Sequence, residues 1–168
     1  MTISMYSASV PLIQRSLGAL SKVLDKGAAF ADARRIDPVV LLQSRIAPDM
    51  FPLVRQVQIA SDTAKGGIAR LAGAEVPGWP DTETSFAELQ DRIARTLEFV
   101  GAFAPDQIDG NEGRPIVLKL RSGDVHFDGQ GYLTTFVLPN VFFHCATAYA
   151  ILRHNGVELG KRDFLGAA

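Results

Sequence analysis

The chain has 168 residues, of which 17 are Lys or Arg and 18 are Asp or Glu, and its formal net charge is -1. This balance, without a basic block, argues against a nucleic-acid-binding surface, and the sequence predicts neither a signal peptide nor a membrane-spanning helix. We therefore expect a cytoplasmic protein without nucleic-acid or membrane partners, folded as a single domain over residues 1–168.

The first helix is predicted by apolar residues that recur at three- and four-residue steps, the spacing of a core-facing helix. It should cover about residues 3–26 and end near Gly27. Pro11 lies within this span and lacks a backbone donor, so the helix either kinks near Ser7 or begins late with Ser9 as its cap. The apolar positions are Ile3, Tyr6, Val10, Ile13, Leu17, Leu20 and Leu24.

A second long helix is predicted from Asp49, its expected cap, to Gly73, with Pro52 in the first turn. A short helix over residues 38–43 precedes it, because an Asp-Pro pair favours a helix start. Residues 74–84 form a turn-rich connection after it. The apolar or small positions of the long helix are Met50, Val54, Val57, Ser61, Ala64, Ile68 and Leu71.

A capping-box pattern, Ser85 with Glu88, predicts a third long helix that runs to about Phe103. The period then changes to short β-rich runs at residues 116–120 and 125–127, separated by Ser-Gly-Asp. These runs predict a small β-hairpin between the third and fourth long helices.

The last long helix is predicted over residues 130–154, bent or interrupted at Pro139. Four long helices and one minor hairpin predict an all-α fold, an antiparallel four-helix bundle with a small β-hairpin.

Polar residues on the buried side of the last helix mark a candidate site. His144 lies on the inward stripe and Asn140 lies one turn before it. We favour a core histidine with one ring nitrogen bonded to a neighbour, and the alternative is a ligand or proton-transfer group. Cys145 is about 100° further round the helix, so we interpret it as a packing residue. His154 is interpreted as a helix cap and His126 as a surface side chain.

A polar row on the second long helix, Arg55, Gln58 and Asp62, runs beside its apolar stripe. Such a row can border a cavity, but a solvated helix face with local ion pairing is the interpretation we favour. The chain has no P-loop, no dinucleotide-type glycine pattern and no His-Glu-x-x-His zinc motif.

Three motifs together resemble a known bacterial family. They are the stretch at residues 44–62, the triplet Leu138-Pro139-Asn140, and the segment at residues 160–166. They resemble the domain of unknown function numbered nineteen-ninety-three, which is grouped with the DinB-like (YfiT-like) superfamily. The resemblance covers nearly the whole chain. It implies a four-helix bundle, commonly dimeric, whose members often bind a divalent metal through three histidines, one on the second helix and two on the fourth.

The fourth-helix pattern of the superfamily, a histidine followed by arginine and glycine, matches at His144, Arg153 and Gly156. The resemblance therefore implies that His144 corresponds to the second histidine ligand of that helix. The first ligand position, four residues earlier, is Asn140.

The second-helix ligand position implied by the resemblance falls near Gln58, or at Gln56 if the alignment slips by two residues. One imidazole and two neutral amides are a poor ligand set for zinc or nickel. Asp62, one turn after Gln58, could supply a carboxylate to a rebuilt site.

We favour a small-molecule-binding or dimeric structural protein with a degenerate metal site and no cofactor, whose candidate polar cluster is Gln58, Asp62, Asn140 and His144. The homodimer follows from the resemblance and from a hydrophobic content of 47%. The alternative is an enzyme of the DinB-like thiol-transferase type, dependent on a divalent metal such as zinc or nickel. In that alternative, His144 and a carboxylate, Asp62 or Asp49, would hold the ion.

Overall fold

The computed structural model describes residues 3–120 and 123–166, with the backbone alone at Leu120. These residues are mostly helical and contain a two-stranded antiparallel sheet, in agreement with the predicted all-α fold with a hairpin. The helices are α1 Val10–Arg34, α2 Pro38–Leu42, α3 Leu53–Ala72, α4 Phe86–Gly101, α5 Pro105–Ile108, α6 Gly129–Gly131, a π-helical segment Tyr132–Val137, α7 Leu138–His154 and α8 Lys161–Leu165. The strands are β1 Ile116–Leu120 and β2 Gly123–Phe127.

The four longest helices share one apolar core. Helix α1 packs against α4 and α7, and α3 packs against the same two helices. Each helix contributes aliphatic side chains that are almost completely buried, among them Leu17, Ile68, Leu89 and Val141. The core therefore joins sequence segments that are far apart, and it fixes the position of α3 relative to α7.

Helix α1 begins at Val10 with Ser9 in the N-cap position, as the later of the two predicted starts requires. The predicted end near Gly27 is wrong, because the helix continues to Arg34. Gly27 is buried, and a Cβ atom there would lie 3.1 Å from the Leu152 side chain. This glycine therefore allows close packing of α1 against α7 and does not end the helix.

Helix α2 begins as predicted, with the Asp37 carboxylate accepting a hydrogen bond from the Val39 backbone N–H at 3.0 Å. Helix α3 begins at Leu53 and not at Asp49, which lies in a turn before the helix. Its end is as predicted, because Gly73 adopts the left-handed conformation, with φ 69°, that glycine permits.

Helix α4 has the predicted capping box. The Glu88 backbone N–H donates to the Ser85 hydroxyl, and the Ser85 backbone N–H donates to the Glu88 carboxylate. The predicted hairpin is present, with β1 and β2 in antiparallel register. Strand β2 begins at Gly123, two residues before its predicted start, while Ser122 of the predicted turn lies outside the described residues.

Pro139 shapes the last long helix without interrupting it. The proline has no N–H for the helix ladder, and a π-helical segment directly precedes the turn that contains it. Nearby side chains donate hydrogen bonds to backbone carbonyls. The Thr135 hydroxyl donates to Gly131 O and the Asn140 amide donates to Phe136 O, both at 2.6 Å. The helix therefore continues from Gly129 to His154.

This last helix is long and apolar enough, by length and composition alone, to cross a membrane. Its most apolar window has a mean hydropathy of 1.4, and 39% of that window is buried. Core helices of soluble proteins pass the same test, and the buried residues of α7 pack on α1 and α3. The helix is thus weak evidence for a membrane span.

Helix α3 contains two adjacent glycines, which reduce its intrinsic helix stability. Replacement of Gly67 by alanine should nevertheless destabilise the fold, because the new Cβ would lie 2.6 Å from a methyl group of buried Val137. We expect a loss of about 1–3 kcal/mol in the free energy of unfolding, measured by urea denaturation.

The matched control is Gly18→Ala in α1, where a new Cβ would meet no atom within 4 Å. This control should stabilise the protein by roughly 0.5–1 kcal/mol through helix propensity. Equal stabilisation by both substitutions would contradict the close contact between α3 and α7.

Candidate functional site

His144 is held by an amide side chain from the facing helix. Its Nδ1 atom lies 2.7 Å from Oε1 of Gln56 on α3, and the two side chains belong to residues that are 9% and 2% exposed. The Gln56 Nε2 atom donates to the Phe51 backbone carbonyl at 2.9 Å, which leaves Oε1 as an acceptor toward the ring. His144 therefore carries its proton on Nδ1 and keeps a lone pair on Nε2.

The surroundings of His144 favour the neutral ring. Burial, and to a smaller extent the positive charge of Arg55, lower the pKa of His144 below its ordinary value of 6.5. Within the described residues the His144 Nε2 atom has no hydrogen-bond partner, and it is not among the fully buried polar atoms. It is therefore a neutral acceptor that reaches the protein surface.

Asn140 lies one turn before His144 on α7. Its amide nitrogen donates to the Phe136 carbonyl at 2.6 Å, and its side-chain oxygen has no partner among the residues that the structure describes. Ser61 on α3 is completely buried, and its hydroxyl is likewise without a partner in the described part of the chain.

Gln58 and Asp62, the other two predicted members of the cluster, are engaged elsewhere. The Gln58 amide nitrogen donates to Glu83 at 2.9 Å, and its oxygen accepts from Arg55 at 3.1 Å. The Asp62 carboxylate pairs with Lys65 and Arg92, each at 2.9 Å. The structure therefore divides the four predicted residues between two places, and Gln56 takes the position beside His144.

Arg92 is the centre of a second polar cluster, which the sequence analysis missed. Its guanidinium is fully buried and forms ion pairs at 2.9 Å with Asp62, Asp81 and Glu83. Burial alone would lower the pKa of Arg92, but the hydrogen bond to Glu83 and the three carboxylate charges together raise it above its ordinary value. Arg92 lies three residues after buried Leu89, and this helical spacing was the available signal.

The same cluster fixes the connection between α3 and α4. Arg55 forms an ion pair with Asp81, and Trp79 lies between Lys65 and Arg95, whose charged groups are 4.2 and 4.1 Å from the ring centroid. The polar row on α3 therefore has the ion pairing that we favoured, but its main partners come from this connection and from α4. These interactions are structural, because every charge in the cluster has a partner of opposite sign or an aromatic face.

The structure agrees with the predicted interpretations of Cys145, His126 and His154. Cys145 is 3% exposed, and burial raises its pKa to about 12, so it is a packing residue and not a nucleophile. His126 and His154 are exposed, and His154 is the last residue of α7.

The domain of unknown function DUF1993 matches residues 5–165 of the chain. A solved structure of a DinB family member protein from Shewanella denitrificans is similar to it, with 42% sequence identity and a TM-score of 0.89 over 97% of this chain and 92% of that one. The chain belongs to the DinB-like DUF1993 family. No curated protein sequence matches it.

The resemblance to DinB-like proteins implied three histidine ligands, and this family member has one of them. Gln56 and Asn140 occupy the neighbouring positions, and the Gln56 oxygen is already bonded to the His144 ring. Within the described residues, no group of three or more His, Cys, Asp or Glu side chains could hold a metal ion. One imidazole with two neutral amides does not fit the ligand requirements of zinc or nickel.

The lowered pKa of His144 predicts a pH dependence of stability. The unfolded chain binds this proton at a higher pH than the folded protein, so the contribution is fully present above the unfolded pKa near 6.5 and is lost as the pH falls through the folded pKa. Urea unfolding at about pH 7.5 and about pH 5 should show a loss of stability that is smaller in His144→Asn than in the wild type.

His154→Asn is the matched control, because His154 is exposed, and it should retain the wild-type pH dependence. The same pH dependence in His144→Asn and in the wild type would contradict a neutral, amide-bonded imidazole.

Proposed function

We propose that this protein binds a small polar molecule at His144, in a degenerate metal site that uses hydrogen bonds in place of metal coordination. The observation that carries the proposal is the hydrogen bond between Gln56 and His144 Nδ1. It fixes the ring and directs an unprotonated Nε2 toward a ligand that donates a hydrogen bond. The Asn140 side-chain oxygen, one turn earlier, is a second acceptor for the same ligand.

The proposal predicts that the purified, untagged protein holds well below one equivalent of zinc, nickel or manganese by elemental analysis. A chelator should leave its melting temperature unchanged, because no metal contributes to the folded state. His144→Ala should cost about 1–3 kcal/mol of stability, since it leaves the buried Gln56 oxygen without its donor.

His154→Ala is the control for the loss of a histidine at an exposed position. Metal near one equivalent in the wild type, lost in His144→Ala but kept in His154→Ala, would contradict the proposal. That result would favour the metal-dependent thiol-transferase alternative.

Ligand binding is tested directly by nuclear magnetic resonance with a set of small hydrogen-bond donors such as phenol and urea. Saturating shifts of the His144 ring and Asn140 amide signals in the wild type, with no shift of the Asn140 signal in His144→Ala, support the proposal. Unchanged signals with every compound of the set count against it.

The proposal also includes the finer features expected of this family, namely an antiparallel four-helix bundle, a cytoplasmic location and a homodimer. The bundle is supported by the packing of α1 and α3 against both α4 and α7. The homodimer is supported by one face of the last helix. Residues 129–152 contain no Asp, Glu, Lys or Arg, and their exposed side chains include Pro139, Phe142, Phe143 and Ala146.

This uncharged face is large enough for a second copy of the chain. A helical stretch of 24 residues extends about 36 Å, and with a neighbouring helix it forms a strip about 20 Å wide. The area of this strip is close to the roughly 800 Å² that each partner buries in a standard interface. Leu12 and Leu165, which are 41% and 44% exposed, border a common groove with Phe142 and extend the apolar surface.

Light scattering of the wild type should therefore give the mass of a dimer at micromolar concentration. Phe143→Glu, at a side chain that is 55% exposed, should give a monomer, because a carboxylate would be buried without a partner in the interface. The control is Val40→Glu on α2, at a residue that is 56% exposed, which should remain dimeric. A wild-type monomer would contradict the proposed interface.

A further inference from the structure

A separate pocket of about 230 Å³ lies between α3, the hairpin and the π-helical segment. Its walls include Asp62, Arg70, Leu118, Lys119, Tyr132 and Phe136. Phe136 precedes His144 by eight residues, which corresponds to about 12 Å along the helix. The pocket is therefore distinct from the His144 site, and ligand binding in it does not depend on the function proposed there.

Arg70 is the main charged group of this pocket. It is partly buried, and within the described residues no carboxylate lies at ion-pair distance from it. Its guanidinium occupies the space beside Gly66, where a Cβ atom would lie only 2.5 Å from Nη1. The first of the two adjacent glycines in α3 thus makes room for this guanidinium, as the second makes room for Val137.

The polar groups around Arg70 are hydrogen-bond donors. Arg70 donates to the Tyr132 hydroxyl oxygen at 3.3 Å, which leaves the hydroxyl proton free for another acceptor. Burial raises the pKa of Tyr132, so the hydroxyl keeps this proton at neutral pH. Lys119 on β1 also lines the pocket, and it forms no ion pair in the described part of the chain.

One oxygen of the carboxylate in the pocket is already engaged. Asp62 lies at its rim, and the Oδ1 atom accepts from both Lys65 and Arg92. An incoming anion thus meets unpaired donors, while the Asp62 charge disfavours a dianion more strongly than a monoanion. A carboxylate is the monoanion whose two oxygens match a guanidinium.

Apart from Thr63, the remaining walls are apolar. Tyr132 and Phe136 stack with their ring planes 13° apart and their centroids separated by 5.6 Å, and Leu118 is 7% exposed. Aromatic rings beside the Arg70 guanidinium favour a ligand whose carboxylate is attached to an aromatic ring.

We propose that this pocket binds an aromatic monocarboxylate, with the carboxylate on Arg70, Tyr132 and Lys119 and the ring against Phe136 and Leu118.

Isothermal titration calorimetry with benzoate, acetate and inorganic phosphate tests this assignment. The wild type should bind benzoate saturably and at least about ten-fold more tightly than acetate or phosphate. Arg70→Met should weaken benzoate binding roughly ten-fold or more, because it removes a charge-assisted hydrogen bond and keeps the length of the side chain. Phe136→Leu should weaken benzoate binding and leave acetate binding unchanged.

Lys119→Met is the second variant if Arg70→Met folds poorly, because Lys119 is exposed on the hairpin and its loss should also weaken benzoate binding. Arg162→Met on α8 is the matched control for the loss of an arginine, and it should bind like the wild type. His144→Ala should also retain benzoate binding, which separates this pocket from the His144 site.

Three results would overturn the assignment. They are the absence of saturable benzoate binding to the wild type, unchanged benzoate binding in both the folded Arg70→Met and Lys119→Met variants, and phosphate binding as tight as benzoate binding.

Discussion

The close contact between α3 and α7 is the constraint on which both candidate sites depend. The hydrogen atom of Gly67, in place of a side chain, allows Val137 to approach the α3 backbone, and eleven residues earlier on α3 Gln56 meets His144. Gln56 meets His144 and the later residue Gly67 meets the earlier residue Val137, so α3 and the last helix are antiparallel. A bulky residue at Gly67 would separate the helices and would weaken the hydrogen bond that determines which ring nitrogen of His144 is protonated.

The Arg92 cluster shows how a buried charge can organise an irregular segment. Residues 73–85 contain no helix or strand, yet Asp81 and Glu83 from this segment meet a guanidinium that has no solvent exposure. Removal of either carboxylate would leave the buried cation with less compensation, which is costly in a low-dielectric interior. Hydrogen bonds from Arg92 and Gln58, together with the Arg92 charge, outweigh the effect of burial and lower the pKa of Glu83, so Glu83 stays ionised at neutral pH.

Membership of the DinB-like DUF1993 family gives the fold and leaves the chemistry to the side chains. Gln56, the second of the two α3 positions at which the resemblance could place a histidine ligand, uses its amide oxygen to orient His144. A histidine fixed through Nδ1 and unprotonated at Nε2 resembles a metal ligand in geometry but is chemically a hydrogen-bond acceptor. Function in this family member must therefore be argued from its own site.

The sequence by itself determined the local elements whose signals are local. The capping box at Ser85, the helix end at Gly73 and the presence of a hairpin follow from neighbouring residues, and so does the inward position of His144. Only the tertiary structure decided the partners. Gly27 looked like a helix end because the neighbouring Leu152 is distant in sequence. The sequence left Gln58 and Gln56 as alternatives, which lie about 200° apart round α3, and the packing of α3 against α7 places Gln56 beside His144. Helical spacing gives the face of a residue, whereas the contact across that face depends on how the helices pack.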